Sequence, residues 1–140
     1  MELDEFLAKV TEWAESTSDI QLLALVGSHA RGMARPDSDI DLIVLSDQPE
    51  QYLFDSTWAN VFGKIDRNQL EDYGKISSNR IFYQDGLEVE FGFGKTDWAG
   101  DQEDAGTIQI IQNGIWILFS RDSSILSQIE NLRRDAADSF

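Results

Sequence analysis

The sequence predicts an α+β domain, and three observations point there. Apolar residues recur at helical spacing near both ends. Short apolar runs bounded by polar and glycine residues read as buried strands. A hairpin signal, Asp85-Gly86, joins two strand-like segments. The 140 residues suit one domain around one core, spanning residues 1–140. No repeat, low-complexity tract or linker divides them.

Taken in order, Leu3, Phe6, Leu7, Val10, Trp13 and Ala14 mark an amphipathic helix from about residue 2 to 17. Ser16-Thr17-Ser18-Asp19 breaks it, and Ile20–Val26 follows as a short buried strand. Ser28–Met33 offers a short helix start, Arg35-Pro36-Asp37-Ser38 a turn, and Ile40–Leu45 a second strand. Asp47 as a cap, with Pro49 in the first turn, predicts a helix running to around Ala59. Asn60–Ser78 carries no clear period and receives no assignment. Arg80–Gln84 and Leu87–Phe93 are strands, and Asp97–Gly106 is a polar loop. Thr107–Gln112 is a short helix closed by Asn113-Gly114, and Ile115–Phe119 is a strand. Asp122 caps a last helix through Arg134, with Ile125, Leu126, Ile129 and Leu132 facing inward.

Composition narrows the class. At 41% hydrophobic and 11% aromatic residues the chain can bury a core. Without cysteine it can form neither a disulfide framework nor a thiolate metal site. Runs such as Leu22–Val26 and Ile115–Phe119 fall far short of the roughly 20 residues of a membrane helix, so no membrane association is expected. The acidic start Met1-Glu2-Leu3-Asp4-Glu5 lacks a signal-peptide charge pattern, and a soluble cytoplasmic protein is the expectation. Asp and Glu number 26 against 11 Lys and Arg, a net charge of −15. The basic residues form no stripe, which argues against binding long nucleic acid but not against a small anion held locally.

The chemistry is concentrated in Gly27-Ser28-His29-Ala30-Arg31-Gly32 followed by Ser38-Asp39-Ile40-Asp41-Leu42. A glycine directly after a strand lets a ligand approach the backbone. Backbone N–H groups there point at an anion, and the Ser28 hydroxyl and the Arg31 guanidinium add donors. The Gly-Lys-Ser/Thr ending of a P-loop is missing. Side chains alternate along a strand, so Asp39 and Asp41 share a face, roughly 7 Å apart along the strand. Two such carboxylates repel, and one takes up a proton unless a cation joins them. A hard divalent ion such as Mg²⁺ suits oxygen ligands, and an anion cradle beside a metal-binding pair is what phosphoryl transfer requires. Gly-Ser alone is most often a turn, and Asp-x-Asp alone is common at strand starts; their combination at this spacing carries the weight.

These residues resemble the signature of polymerase-β-like nucleotidyltransferases, in which a Gly-Ser turn is followed about ten residues later by Asp-x-Asp. The Ala30-Arg31-Gly32 and Ser38-Asp39-Ile40-Asp41-Leu42 segments are similar to those of bacterial minimal nucleotidyltransferases and antibiotic adenylyltransferases. The resemblance implies a mixed, largely antiparallel sheet flanked by helices. It implies a nucleoside triphosphate, ATP by expectation, as co-substrate with two Mg²⁺ ions, and transfer of a nucleoside monophosphate to an acceptor. Gly27 and Ser28 would hold the triphosphate, and Asp39 and Asp41 the metals; Arg31, a charged donor at the anion site, is a further nucleotide-binding candidate by its chemistry. The family calls for a third carboxylate on a later strand. Glu88 and Glu90 share one face there and alternation does not choose between them; the family pattern points to Glu90 as metal ligand and catalytic base.

Other residues weigh less. His29, the single histidine, could touch phosphate or face solvent, and the solvent-facing reading is preferred. Arg35 is a weaker phosphate candidate. The acidic loop with Asp97, Asp101, Glu103 and Asp104 is expected to be solvated, although it would also attract a cationic acceptor. Trp58, Trp98 and Trp116 read as core or edge packing. Two functions of different kinds follow: an enzyme acting on a small-molecule or protein hydroxyl, or an antitoxin-like binding module paired with a helical protein. The helical second domain of the antibiotic-modifying relatives is absent from these 140 residues, which favours a protein partner or a homo-oligomer.

Overall fold

A computed structural model describes residues 2–138, with side chains through Arg134. The first helix, α1 (Leu3–Glu15), buries Phe6, Val10 and Ala14. It stops where the Thr17 hydroxyl turns back to donate to the Trp13 carbonyl, 2.6 Å away. Strand β1 (Ile20–Val26) leads into a single helical turn, α2 (Gly27–Ala30), shorter than the expected 28–33 segment because Gly32 turns to a left-handed φ of 71°. The turn at Arg35–Ser38 forms as expected, with the Arg35 N–H donating to Ser38 Oγ at 2.8 Å. Strand β2 (Ile40–Ser46) then pairs antiparallel with β1.

The expected helix from Asp47 to Ala59 does not form. One turn, α3 (Gln51–Phe54), and a 3-10 turn, Thr57–Phe62, stand in its place. Asp47 is not a cap: its carboxylate accepts from Gln21 Nε2 at 3.2 Å. Asp55 is extended, and its Oδ1 accepts both the Thr57 N–H and hydroxyl at 2.9 Å. That local turn competes with the helix and ends it.

The unassigned stretch holds β3 (Ile65–Asp72), an edge strand with no buried residue. Strand β4 (Ser77–Tyr83) starts three residues before the expected Arg80 and pairs with β5 (Glu88–Gly94). Their connection is not the expected two-residue turn. The Tyr83 N–H donates to the Leu87 carbonyl at 2.8 Å, leaving a three-residue loop closed by Gly86 at φ 95°. Helix α4 (Ala105–Asn113) begins two residues before Thr107, where Asp104 accepts from the Thr107 N–H. Strand β6 (Trp116–Ser120) precedes α5 (Ser123–Asp138), which runs beyond the expected Arg134.

The six strands lie in the order β3-β4-β5-β2-β1-β6; β2 and β5 are parallel and every other pair is antiparallel. The sheet is therefore mixed and largely antiparallel, and helices cover both faces. One face carries Leu23, Leu25, Leu42, Val44, Phe91 and Phe93 against α1 and the 3-10 turn. The other carries Leu22, Ala24, Ile43 and Leu45 against α4, α5 and Trp98. Because β1 and β2 are buried on both faces, their sequences read as continuous apolar runs, as central strands do. Trp98 and Ala99 sit in this second core, so the 97–106 segment is only partly a solvated loop. Among the described residues no helix is long and apolar enough to cross a membrane.

Candidate active site

Asp41 is the one polar residue of β2 before Ser46, and it points to the α4 side of the sheet with Ile43 and Leu45. Asp39 stands just ahead of the strand. The parallel pairing of β2 with β5 sets Asp41 opposite Glu90, and paired residues share a face. One carboxylate oxygen from each of Asp39, Asp41 and Glu90 lies within 4.8 Å of the other two. Glu88, two residues earlier on β5, lies outside that group and meets Arg80 at 2.5 Å instead. The geometry thus separates the two glutamates that alternation left equivalent.

The cluster is electrostatically tense. Burial raises the Asp41 carboxyl, the Asp39 and Glu90 charges raise it further, and its titration point is pushed up to about 8 despite the opposing Arg80. Three oxygens held this close, with their charges only partly met, fit a hard divalent cation. Asp39, Asp41 and Glu90 would hold such an ion, whose charge would offset the penalty that the buried Asp41 carboxyl carries.

Gly27 has a second reason to be glycine. Its φ is +74°, and an added Cβ would stand 2.2 Å from Asp41 Oδ2. The backbone at the start of α2 therefore packs directly on the Asp41 carboxylate. Ser28 follows in the same turn, half-buried, and its carbonyl accepts the Met33 N–H at 2.9 Å. Arg31 is exposed and lines a cavity of about 240 Å³ together with Gly27, Asp41, Glu90, Ile110 and Asn113. Four candidates, Gly27, Arg31, Asp41 and Glu90, thus line one hollow; Asp39 joins them through the carboxylate cluster, and Ser28 follows Gly27 in its turn. Arg35 is exposed on its turn. His29 does not face solvent through its ring nitrogen: Nε2 is buried and has no hydrogen-bond partner among the described residues.

Two residues at the site escaped the sequence. Arg80 on β4 reaches Asp39 through Nη1 at 2.7 Å and Glu90 through Nη2 at 2.6 Å, besides Glu88. Its Nε lies 3.6 Å from Glu71. Burial disfavours its charge, but the bonds to Asp39 and Glu88 outweigh that and keep it firmly ionised. Tyr73, in the β3–β4 turn, lines the cavity and donates its hydroxyl to Glu71. That bond pushes the phenol up to about 12.

A mixed sheet carrying a carboxylate triad next to a Gly-Ser turn defines a class of nucleotide-handling domains. The chain belongs to the nucleotidyltransferase domain family, whose sequence pattern matches residues 7–93 and so encloses the whole cluster. No curated protein matches the sequence. Among solved structures, an aminoglycoside 6-adenyltransferase from Bacillus subtilis superposes with a TM-score of 0.58 at 18% identity, covering 72% of this chain and 38% of that one. The polymerase core of TRAMP, an RNA surveillance complex, superposes with a TM-score of 0.52 at 15% identity, covering 77% of this chain and 38% of that one. At these identities the likeness is one of fold, and this chain spans well under half the length of either.

Proposed function

We propose that this domain transfers a nucleoside monophosphate from a nucleoside triphosphate, ATP by expectation, to a hydroxyl of a small molecule or protein. The observation that carries this reading is the triad of Asp39, Asp41 and Glu90, with oxygens within 4.8 Å of one another, set against the Gly27-Ser28 turn. Asp39, Asp41 and Glu90 would hold two Mg²⁺ ions, which when bound supply positive charge to the phosphates and the entering oxygen. The Gly27 backbone, the Ser28 hydroxyl and Arg31 hold the triphosphate. The acceptor hydroxyl gives its proton to Glu90 while its oxygen bonds to the α-phosphorus. The bond from that phosphorus to the bridging oxygen breaks, and pyrophosphate leaves. The cavity of about 240 Å³ is smaller than the roughly 300–1,000 Å³ typical of ligand pockets, so part of the reactants must lie against open surface or a second molecule.

The test is incubation with labelled triphosphates and Mg²⁺ in a cell extract, followed by a search for a labelled small molecule or protein. Asp39→Asn with Asp41→Asn should abolish the label. Equal labelling by wild type and the double variant would refute the site. A second reading, a module that binds a helical partner, is favoured by Phe54, 88% exposed, which flanks a groove with Leu53 and Leu70. It expects partner binding to survive the same double substitution.

A further inference from the structure

Arg80 is the feature that the proposed chemistry does not use. It is a β4 residue in register with Glu90, only 18% exposed as a side chain, and it engages four carboxylates. Two of them, Asp39 and Glu90, belong to the triad; the other two, Glu88 and Glu71, do not. The planar guanidinium spreads its donors in a fork, which lets one group satisfy several carboxylates at once. Its Nη1 and Nη2 lie 2.7 Å from Asp39 and 2.6 Å from Glu90, so both oxygens are already committed to a cation. A divalent ion drawing on the same oxygens must compete with those bonds.

We infer that Arg80 is a built-in counter-ion: it holds the cation's place between Asp39 and Glu90 and yields it when a divalent ion binds. This rests on the metal-site reading above. In the metal-free protein Arg80 bridges Asp39 and Glu90 and so keeps these two repelling carboxylates close enough to receive an ion beside Asp41. On binding, its head withdraws to Glu88 and Glu71, which it already touches and which are not triad members. The cluster therefore never stands without a positive charge. The ion's affinity is reduced by the bonds it must break, so Arg80 sets the divalent concentration at which the site fills. Arg80 is in this sense a positioning residue.

The test is titration of metal-free protein with Mn²⁺, followed by calorimetry, for wild type, Arg80→Gln, Arg80→Lys and Asp41→Asn. Removing Arg80 with Gln should tighten Mn²⁺ binding about tenfold, equivalent to about 1.4 kcal/mol. Lys keeps the charge but loses the fork, so it should also tighten binding, by less. A purely Coulombic influence of Arg80 would leave Lys equal to wild type, and a supporting role in ion binding would make both variants weaker; either result overturns the inference. In wild type, the guanidinium resonances of Arg80 should shift on adding Mg²⁺, a readout that needs no variant. Unchanged resonances in a protein shown to bind Mg²⁺ would also overturn it. If Asp41→Asn binds Mn²⁺ as well as wild type does, the metal-site reading itself fails and takes the inference with it.

Discussion

Replacing Gly27 with alanine separates two effects that the structure places on one atom. The first is backbone strain. At φ +74° a residue with a Cβ costs roughly 1–2 kcal/mol, which lowers the melting temperature of a domain this size by roughly 3–8 °C. The second is collision. The new Cβ would stand 2.2 Å from Asp41 Oδ2 and 3.0 Å from the Asp41 Cβ and Cγ. The carboxylate must then swing away from Asp39 and Glu90. Gly32 supplies the control: its φ is +71°, yet an added Cβ meets nothing within 4 Å. Gly32→Ala should therefore show the strain alone. Melting curves should place the two variants within a few degrees of each other, apart from the relaxation that Gly27→Ala also forces. Calorimetric Mn²⁺ titration should show binding largely lost in Gly27→Ala and retained in Gly32→Ala. If Gly27→Ala binds Mn²⁺ as Gly32→Ala does, the close packing of the α2 backbone on Asp41 has no consequence for the site, and the reasoning is wrong.

Further expectations concern the glutamates and pH. Glu90→Gln should cut nucleotidyl transfer by at least about 100-fold, the scale of a lost general base. Glu88→Gln, which loses only a partly exposed pair with Arg80, should stay within about threefold; equal losses measured by labelled product would contradict the assignment. Asp41 binds its proton more tightly in the fold, where it titrates at about 8, than in the unfolded chain, where it titrates near 3.8. The metal-free protein should accordingly lose stability as pH climbs from about 4 to about 8 and level off above. Saturating Mg²⁺ should flatten that slope, since the ion replaces the proton, and apparent Mg²⁺ affinity should rise with pH over the upper part of the same window. Melting temperatures across pH, with and without Mg²⁺, check both; a metal-free curve that rises through pH 6–8 would show that Asp41 is not the strained group.

The legible parts of this chain are those where burial writes a period. Phe6, Val10 and Ala14 declare α1, and Ile20–Val26 declares a strand, because the core demands those faces. Strand β3 was invisible for the opposite reason. It lies at the sheet edge with no buried side chain, so Asp66-Arg67-Asn68-Gln69 has no alternation to display. The helix expected over 47–59 failed on one side chain, Asp55, whose turn with Thr57 no propensity sum includes. Asp39 and Asp41 were readable because two-residue spacing gives them a shared face, and the glutamate pair because the family resemblance called for a third carboxylate on a later strand. Alternation alone left Glu88 and Glu90 equivalent; the family pattern pointed to Glu90, and the β2–β5 register, a long-range fact, sets Glu90 opposite Asp41. Arg80 was hidden by a single residue of loop. A two-residue turn at Asp85-Gly86 would set position 80 opposite Phe91 on the apolar face; the three-residue loop sets it opposite Glu90.

That one-residue difference shows what the fold has been made to tolerate. Asp39, Glu71, Glu88 and Glu90 gather around one guanidinium, with Asp41 beside Asp39 and Glu90, in a chain that already carries a net charge of −15. A fold optimised for stability alone would put an apolar residue or a second cation at Asp41, which sits between Ile40 and Leu42 in a strand otherwise buried up to its end. The sheet supplies the compensation elsewhere. Both faces of β1 and β2 are packed, and Tyr52, Phe62, Phe91 and Phe93 form a ring cluster under the strand that carries Glu90. Local rules of charge pairing are broken beside a fully buried core, which is the pattern expected of a site held ready for a ligand. The buried strands β2 and β5 fix where the backbones of Asp41 and Glu90 stand, and Arg80 bridges the carboxylates of Asp39 and Glu90 above them.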